Sequence, residues 1–140
     1  MLHSIESCSL INIPQRPSTA GSSCGFVNGL HTGPFDVKRF FFIYDVPHNA
    51  RRGAHAHKMC HQLLIPVCGS FQVIVEDPLH SYVHSLSSPT VGLHIPPGIW
   101  ASEVGFSSGS VCLVLASELY DAEDYIRDWN VYEKYVLNEV

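Results

Sequence analysis

Side chains suited to acid/base chemistry are concentrated in residues 51–69, RRGAHAHKMCHQLLIPVCG, which contain three histidines, two arginines and a glutamine. His55 and His57 are separated by one residue, so in a β-strand both imidazoles project from the same face, about 6 to 7 Å apart. Ala54 and Ala56 then occupy the opposite face. Because an unperturbed imidazole titrates near pH 6.5, it can both accept and donate a proton at neutral pH. We therefore predict that His55 and His57 form a catalytic pair that faces a cavity.

The elements that must position this pair are short strands separated by turn residues. Within the 51–69 segment, Leu63–Val67 has the apolar run of a buried strand, and Cys68-Gly69-Ser70 is typical of a turn. The rest of the chain contains at least eight such strands, and this number predicts an all-β fold, a jelly roll or small β-barrel. The clearest strands are expected at residues 8–13, 25–30, 36–46, 71–76, 82–86, 91–95, 100–106 and 111–115.

The C-terminal residues change from strand to helix periodicity. Apolar residues from Leu119 to Trp129 recur at helical spacing, which predicts a short helical segment that covers one end of the barrel. Asp121 and Asp124 are suitable N-caps for it.

Length and composition indicate a single domain over residues 1–140, with 46% hydrophobic and 15% charged residues. A formal net charge of −5 and only eight Lys and Arg residues argue against nucleic-acid binding. The sequence has neither a long apolar span nor a signal peptide, so we expect no membrane association and a cytoplasmic location. The five cysteines form no CxxC pair and are expected to be free thiols. An exposed N-terminal strand edge favours a homodimer.

The spacing His55-x-His57-x4-Gln62-x6-Gly69 resembles the first cupin motif, in which two histidines and a glutamate bind a metal. PPGIWA at residues 96–101 resembles the second cupin motif, with Ala101 at the position of the fourth ligand. Gln62 replaces the glutamate. Two histidines without an anionic or third imidazole ligand are a poor site for iron, nickel or zinc. We therefore expect a cupin fold without a metal or other cofactor.

A more specific resemblance is to the cupin-class dTDP-4-oxo-6-deoxyglucose 3,4-ketoisomerases of bacterial deoxysugar synthesis, the FdtA-like and WxcM-like sugar isomerases. It covers about residues 35–138. It rests on RGAHAHK at residues 52–58, GSF at 69–71, PGIW at 97–100, LAS at 115–117 and YDAEDYIR at 120–127, in this order and spacing. The resemblance implies that the ligand is a dTDP-linked 4-oxo-6-deoxy sugar, for use in surface-polysaccharide synthesis. It also implies that the carbonyl moves from C4 to C3 by proton transfer through an enediol.

The resemblance further implies site residues. It assigns catalysis to His55 and His57, with Arg52 as the nearby arginine that binds the diphosphate or an enolate oxygen. The family's Tyr-Tyr pair is replaced here by Phe41-Phe42, and Tyr44 is a candidate substitute for the missing hydroxyl. Gln62 and Trp100 complete the expected substrate-binding set. His61 has the same strand parity as the histidine pair and is a further residue that a remodelled site could use.

The sequence leaves three other functions open. A nucleotide-sugar 3,5-epimerase would also remove a proton next to a ketone, although the C-terminal signature argues against it. A sugar-binding or regulatory cupin without catalysis is compatible with Phe41, Phe42 and Ala101. A metal-dependent dioxygenase is disfavoured by Gln62 and Ala101.

Overall fold

Twelve β-strands and one α-helix are found in residues 3–28 and 33–138, the parts of the chain that the computed structural model describes. The strand expected at residues 36–46 is shorter and covers residues 39–44. Residues 23–25 form a strand inside an expected loop, whereas residues 26–28 form none and residues 29–30 lie outside the described ranges. The strands are β1 Ser9–Asn12, β2 Gln15–Pro17, β3 Ser23–Gly25, β4 Arg39–Tyr44, β5 Arg52–His57, β6 Gln62–Cys68, β7 Phe71–Glu76, β8 Ser81–Leu86, β9 Val91–Ile95, β10 Trp100–Val104, β11 Val111–Ala116 and β12 Tyr125–Ile126; the helix is α1 Trp129–Asn138.

Two five-stranded antiparallel sheets pack face to face. The first sheet has the order β1-β9-β6-β11-β4, and the second has the order β12-β5-β10-β7-β8, while β2 and β3 form a separate hairpin. Neighbours in each sheet are mostly distant in sequence, as in a jelly roll. The expected all-β cupin jelly roll with a short C-terminal helix is confirmed.

The core fills the space between the sheets. Alternation along β7 buries Phe71, Val73 and Val75 and exposes Gln72, as expected for a strand with one face on the core. Leu64 from the first sheet and Phe106 from the loop after β10 pack into the same cluster. Burial of such side chains, at roughly 1.5–3 kcal/mol each, holds the two sheets together.

A β-bulge interrupts β5 where it pairs with β10. His55 is opposite Ala101 and Gly53 is opposite Ser102, so Ala54 has no partner of its own. Gly53 and Ala54 both have positive φ, at 75° and 64°. Simple alternation would place Arg52 and His55 on opposite faces, but one extra residue restores them to the same face. The bulge therefore brings Arg52 into line with the histidines.

Helix α1 covers the outer face of the second sheet. Tyr132 and Val136 are buried against Ala56 and Trp100, and the Tyr132 hydroxyl donates to the Gly98 carbonyl at 2.9 Å. The helix begins after Asp128, whose Oδ1 accepts from the Val131 N–H at 3.0 Å. No helix in the described residues is long and apolar enough to cross a membrane.

The expected caps of the C-terminal segment are confirmed only for Asp121, and the α-helix is capped by Asp128 instead. Asp121 caps a 3-10 turn, Ala122–Asp124, rather than the α-helix. The chain then forms β12, which pairs with β5 so that Tyr125 lies opposite His57. This short edge strand, absent from the sequence expectation, carries part of the candidate site.

Candidate active site

The candidate site is a cavity of about 350 Å³ between the two sheets. Apolar side chains from the first sheet, including Phe41, Leu64 and Val114, form one wall. The facing wall comes from the second sheet and is polar. Its lining side chains are Arg52, His55 and His57 from β5, Glu103 from β10, and Tyr125 and Arg127 at β12.

His55 and His57 project into this cavity as neighbours. Their ring centroids are 5.0 Å apart, with the rings nearly perpendicular at 83°. Burial lowers the pKa of His55 to about 4, and the charges of His57 and Arg127 add to this effect. Burial likewise lowers the pKa of His57. Both rings are therefore neutral at pH 7 and able to accept a proton.

Asp124 orients His57. The His57 Nδ1 lies 2.8 Å from Asp124 Oδ2, and Asp124 Oδ1 accepts from the Met59 N–H at 2.7 Å. Because a carboxylate only accepts, the bond holds the proton of neutral His57 on Nδ1 and leaves the lone pair on Nε2. That Nε2 is buried and has no hydrogen-bond partner in the described part of the chain. His57 is thus arranged as a proton acceptor, and Asp124 opposes the lowering of its pKa.

Tyr125 and Arg127 complete this side of the cavity. The Tyr125 ring centroid is 4.3 Å from that of His57 and 5.0 Å from that of His55, so its ring packs against both imidazoles. The Arg127 guanidinium lies 4.4 Å from the Tyr125 ring centroid. Sequence reasoning missed Asp124, Tyr125 and Arg127 as site residues because it assigned them to a helix.

The bulged end of β5 supplies the cations. Arg52 and Glu103 are register partners across β5 and β10, and both line the cavity. The adjacent Arg51 donates from Nη1 to Ser102 Oγ at 3.2 Å. Because Ser102 faces away from the cavity, Arg52 is the arginine placed to bind a diphosphate, since guanidinium donors fit phosphate oxygens in pairs.

The structure brings only some of the residues expected from the sequence into one cavity. Arg52, Gln62 and both histidines of the pair line it. Trp100, by contrast, does not; it packs against Trp129 and Tyr132 on the outer face of the second sheet, because it is out of phase with Ala101 and Glu103 on β10. The expectation that Trp100 contacts substrate is corrected accordingly.

Two further expectations concern residues that lie outside the cavity. Tyr44 is 59% exposed on the outer face of the first sheet, beside Phe42. It lines a shallow groove next to the cavity rather than the cavity itself, so it does not replace a hydroxyl beside the histidines. His61 lies on the same outer face and contacts His94 and Phe35.

The residues present do not reproduce a cupin metal site. Gln62 and Ala101 both line the cavity, where they contribute a neutral amide and a methyl group. His57, Cys60 and Asp124 do offer ligand atoms within 4.8 Å of one another. However, His57 Nδ1 and Asp124 Oδ2 are 2.8 Å apart, whereas two ligands of a tetrahedral zinc are about 3.3 Å apart. Their separation is that of a hydrogen bond.

Comparison with known proteins agrees with this geometry. The FdtA family model, described as WxcM-like, C-terminal, matches residues 6–137. The chain belongs to the FdtA family. This confirms the resemblance found in the sequence.

Individual members of the FdtA family are similar over much of their length. A TDP-4-oxo-6-deoxy-alpha-D-glucose-3,4-oxoisomerase from Aneurinibacillus thermoaerophilus is 42% identical over 103 residues, 74% of each chain. QdtA, a sugar 3,4-ketoisomerase from Thermoanaerobacterium thermosaccharolyticum solved with TDP, has a TM-score of 0.92 at 34% identity and covers 97% of this chain and 98% of its own. The WlaRB TDP-quinovose 3,4-ketoisomerase from Campylobacter jejuni has a TM-score of 0.87 at 35% identity, covering 93% and 99%.

Proposed function

We propose that this protein is a metal-independent TDP-sugar 3,4-ketoisomerase that converts a TDP-4-oxo-6-deoxyhexose to its 3-oxo isomer in deoxysugar synthesis. One observation carries the proposal: the His57–Asp124 pair lines a cavity together with Arg52, and His57 Nε2 is buried without a hydrogen-bond partner in the described residues. Family membership and the activities named for the relatives support the choice of reaction and nucleotide.

The reaction needs a base at C3 and a proton donor at C4. His57 removes the C3 proton through Nε2, and Asp124 stabilises the imidazolium that forms. The electron pair moves into a C3–C4 double bond, giving an enediolate that becomes the enediol when the C4 oxygen is protonated. The imidazolium then returns a proton to C4. His55, with its ring edge against His57, lies where it can relay this proton or orient the sugar.

Two adjoining spaces suit the two halves of a nucleotide sugar. The cavity of about 350 Å³ accepts a hexose. Arg52 lines both this cavity and the neighbouring groove, so a diphosphate bound to it would place the base in the groove beside Phe42 and Tyr44. Gln62 can hydrogen-bond a sugar hydroxyl from the opposite wall.

Incubation with TDP-4-oxo-6-deoxyglucose in deuterated water tests the proposal directly. We expect a 3-oxo product by NMR, and full turnover after exhaustive chelation. Deuterium at C5 without a 3-oxo product would instead indicate a 3,5-epimerase. Activity lost on chelation and restored by iron, nickel or zinc would contradict metal independence.

A catalytically altered sugar-binding cupin is the second candidate, favoured by one observation. Phe41 faces the cavity from β4 and brings no hydroxyl there, where the family resemblance implies a tyrosine in the Phe41-Phe42 pair. If this second function holds, calorimetry will show binding of TDP-4-oxo-6-deoxyglucose while NMR shows no exchange or isomerisation.

We also propose a cytoplasmic homodimer. On the outer face of the first sheet Phe40 is 66% exposed, and a second copy of the chain would cover it. The five free cysteines fit a reducing compartment. Light scattering at micromolar concentration is expected to give twice the 15.5 kDa chain mass. A monomer would contradict the assembly, and Phe40→Ser is expected to weaken it.

A further inference from the structure

Glu103 is a buried carboxyl group that the mechanism above does not use. It is 8% exposed, and it is the only Asp or Glu among the described residues that line the cavity. On β10 it follows Ala101 by two residues, so both face the cavity while Ser102 points away. The carboxyl thus shares one space with His55 and His57.

The β5 bulge accommodates this carboxyl group. A side chain at Gly53 would collide with the Glu103 carboxyl, so the glycine leaves the volume that the carboxyl occupies. Gly53 also has positive φ, a conformation that favours glycine. The same bulge that aligns Arg52 with the histidines therefore makes room for Glu103 beside it.

The groups that face Glu103 leave it close to half-protonated at neutral pH. Burial raises its pKa to about 7, and the positive charge of Arg52 on β5 opposes this rise. Cys112 on β11 is the titratable neighbour from the first sheet, and burial followed by the charge of Glu103 raises the pKa of its thiol. The facing residue on β7 is Val73, and Phe41 on β4 is apolar. Among the described residues Glu103 and Arg52 form no ion pair, so burial dominates.

The isomerisation moves two protons, and His57 accounts for one of them. As the carbonyl shifts, the oxygen on C4 gains a proton and the oxygen on C3 loses one. A general acid that becomes a general base within the same turnover can perform both transfers. The tyrosine hydroxyl implied by the family resemblance at Phe41-Phe42 is absent, so a different group must serve these oxygens.

We propose that Glu103 is this group and carries the proton between the two substrate oxygens while His57 carries the proton between the two carbons. In the first step His57 Nε2 takes the C3 proton and the Glu103 carboxyl protonates the C4 oxygen, which gives the enediol, an imidazolium and a carboxylate. In the second step the carboxylate takes the proton of the C3 hydroxyl and the imidazolium protonates C4. Both residues return to their starting protonation states, and Arg52 stabilises the transient carboxylate.

The assignment rests on the proposed isomerase function, and Glu103→Gln tests it while keeping size and polarity. We expect kcat to fall by about 10²-fold, with unchanged TDP binding by calorimetry, because the amide cannot donate an acidic proton. In the wild type kcat/KM should decline as pH rises through about 7, since the donor form of Glu103 is lost. That decline should be absent in Glu103→Gln and present in Glu103→Asp.

Glu6→Gln, on the exposed N-terminal turn, is the matched control and should behave as the wild type. Wild-type kcat and an unchanged pH profile in Glu103→Gln would overturn the role of Glu103 alone. If the decline of kcat/KM at high pH were lost in Tyr125→Phe but kept in Glu103→Gln, Tyr125 rather than Glu103 would be the proton carrier. A wild-type protein that forms no 3-oxo sugar would overturn the isomerase function and this role with it.

Discussion

Two histidine pairs in this molecule have similar ring separations but different surroundings. His55 and His57 have centroids 5.0 Å apart, and His61 and His94 have centroids 5.2 Å apart. His61 Nδ1 and His94 Nε2 are hydrogen-bonded to each other at 3.0 Å, and both rings pack on Phe35. His57 is instead bonded to a carboxylate and keeps a free nitrogen at a cavity.

The difference shows that proximity of two imidazoles does not by itself make an acid/base site. In the outer pair the two rings bond to each other, so no carboxylate sets the tautomer of either ring, and neither ring lines the cavity. In the cavity pair Asp124 fixes one nitrogen of His57 and leaves the other available. A carboxylate on one side and an open volume on the other distinguish a reactive histidine from a packed one.

The largest expected effect comes from removing the imidazoles of the cavity pair. His57→Asn should lower kcat for the 3-oxo product by about 10²-fold or more, and His55→Asn by about 10²-fold, because positioned acid/base groups contribute that much. KM should change less, since asparagine is polar and Arg52 still binds the anion. His61→Asn is the matched control from the outer pair and should retain kcat within about twofold. An equal loss of kcat in His57→Asn and His61→Asn would show that the cavity pair is no more important for catalysis than the outer pair.

Asp124→Asn tests whether the carboxylate is what makes His57 reactive. The amide can donate to Nδ1 and thereby favour the wrong tautomer, so kcat should fall by roughly ten- to a hundredfold with KM little changed. Nitrogen NMR shifts of His57 should report a proton moved from Nδ1 to Nε2. Asp128→Asn at the start of α1 is the control, because asparagine caps a helix as well as aspartate. An unaltered tautomer together with full activity would show that Asp124 serves only the fold.

Arg52→Lys tests whether the guanidinium that the bulge places beside the cavity pair binds the substrate. A point charge replaces a two-donor fork, so we expect KM to rise several-fold, about 1 kcal/mol of binding, while kcat changes little. Arg16→Lys on the exposed strand β2 should leave both constants unchanged. A fall in kcat without a change in KM would assign Arg52 to the reacting atoms rather than to the diphosphate.

The smallest expected effect concerns stability, where the two pairs should behave alike. Burial lowers the pKa of both His55 and His94 from 6.5 to about 4, and the charge of a neighbouring histidine adds to this in each pair. Between these values the unfolded chain binds more protons than the folded one, so stability should decrease as pH falls from about 6.5 to about 4. The thermal midpoint of His94→Asn should therefore drop less between pH 7 and pH 5 than that of the wild type, with kcat unchanged. An identical drop in both proteins would contradict a neutral, half-buried His94.

The sequence by itself determined the fold class and the centre of the site. Short strands between turn residues indicated a jelly roll, and the alternation of His55 and His57 with Ala54 and Ala56 placed imidazoles and alanines on opposite faces. These features depend on local periodicity, which can be recognised within one short stretch of sequence. The cupin-like motifs likewise placed Gln62 at the cavity, although it lies on β6 in the first sheet and the histidines lie on β5 in the second.

Only the tertiary structure decided which other side chains reach the histidines. Arg52 enters the cavity because of a bulge at Gly53-Ala54, and strict alternation excludes it. Asp124 and Tyr125 meet His57 because β12 pairs with β5 across more than sixty residues of sequence, in a segment whose apolar spacing also fits a helix. Side chains on β10 alternate between the two faces of the sheet, and pairing with the neighbouring strands decides which of them face inward. Trp100 therefore faces outward and Glu103 faces the cavity. Pairing and register depend on contacts between distant segments, and local periodicity does not encode them.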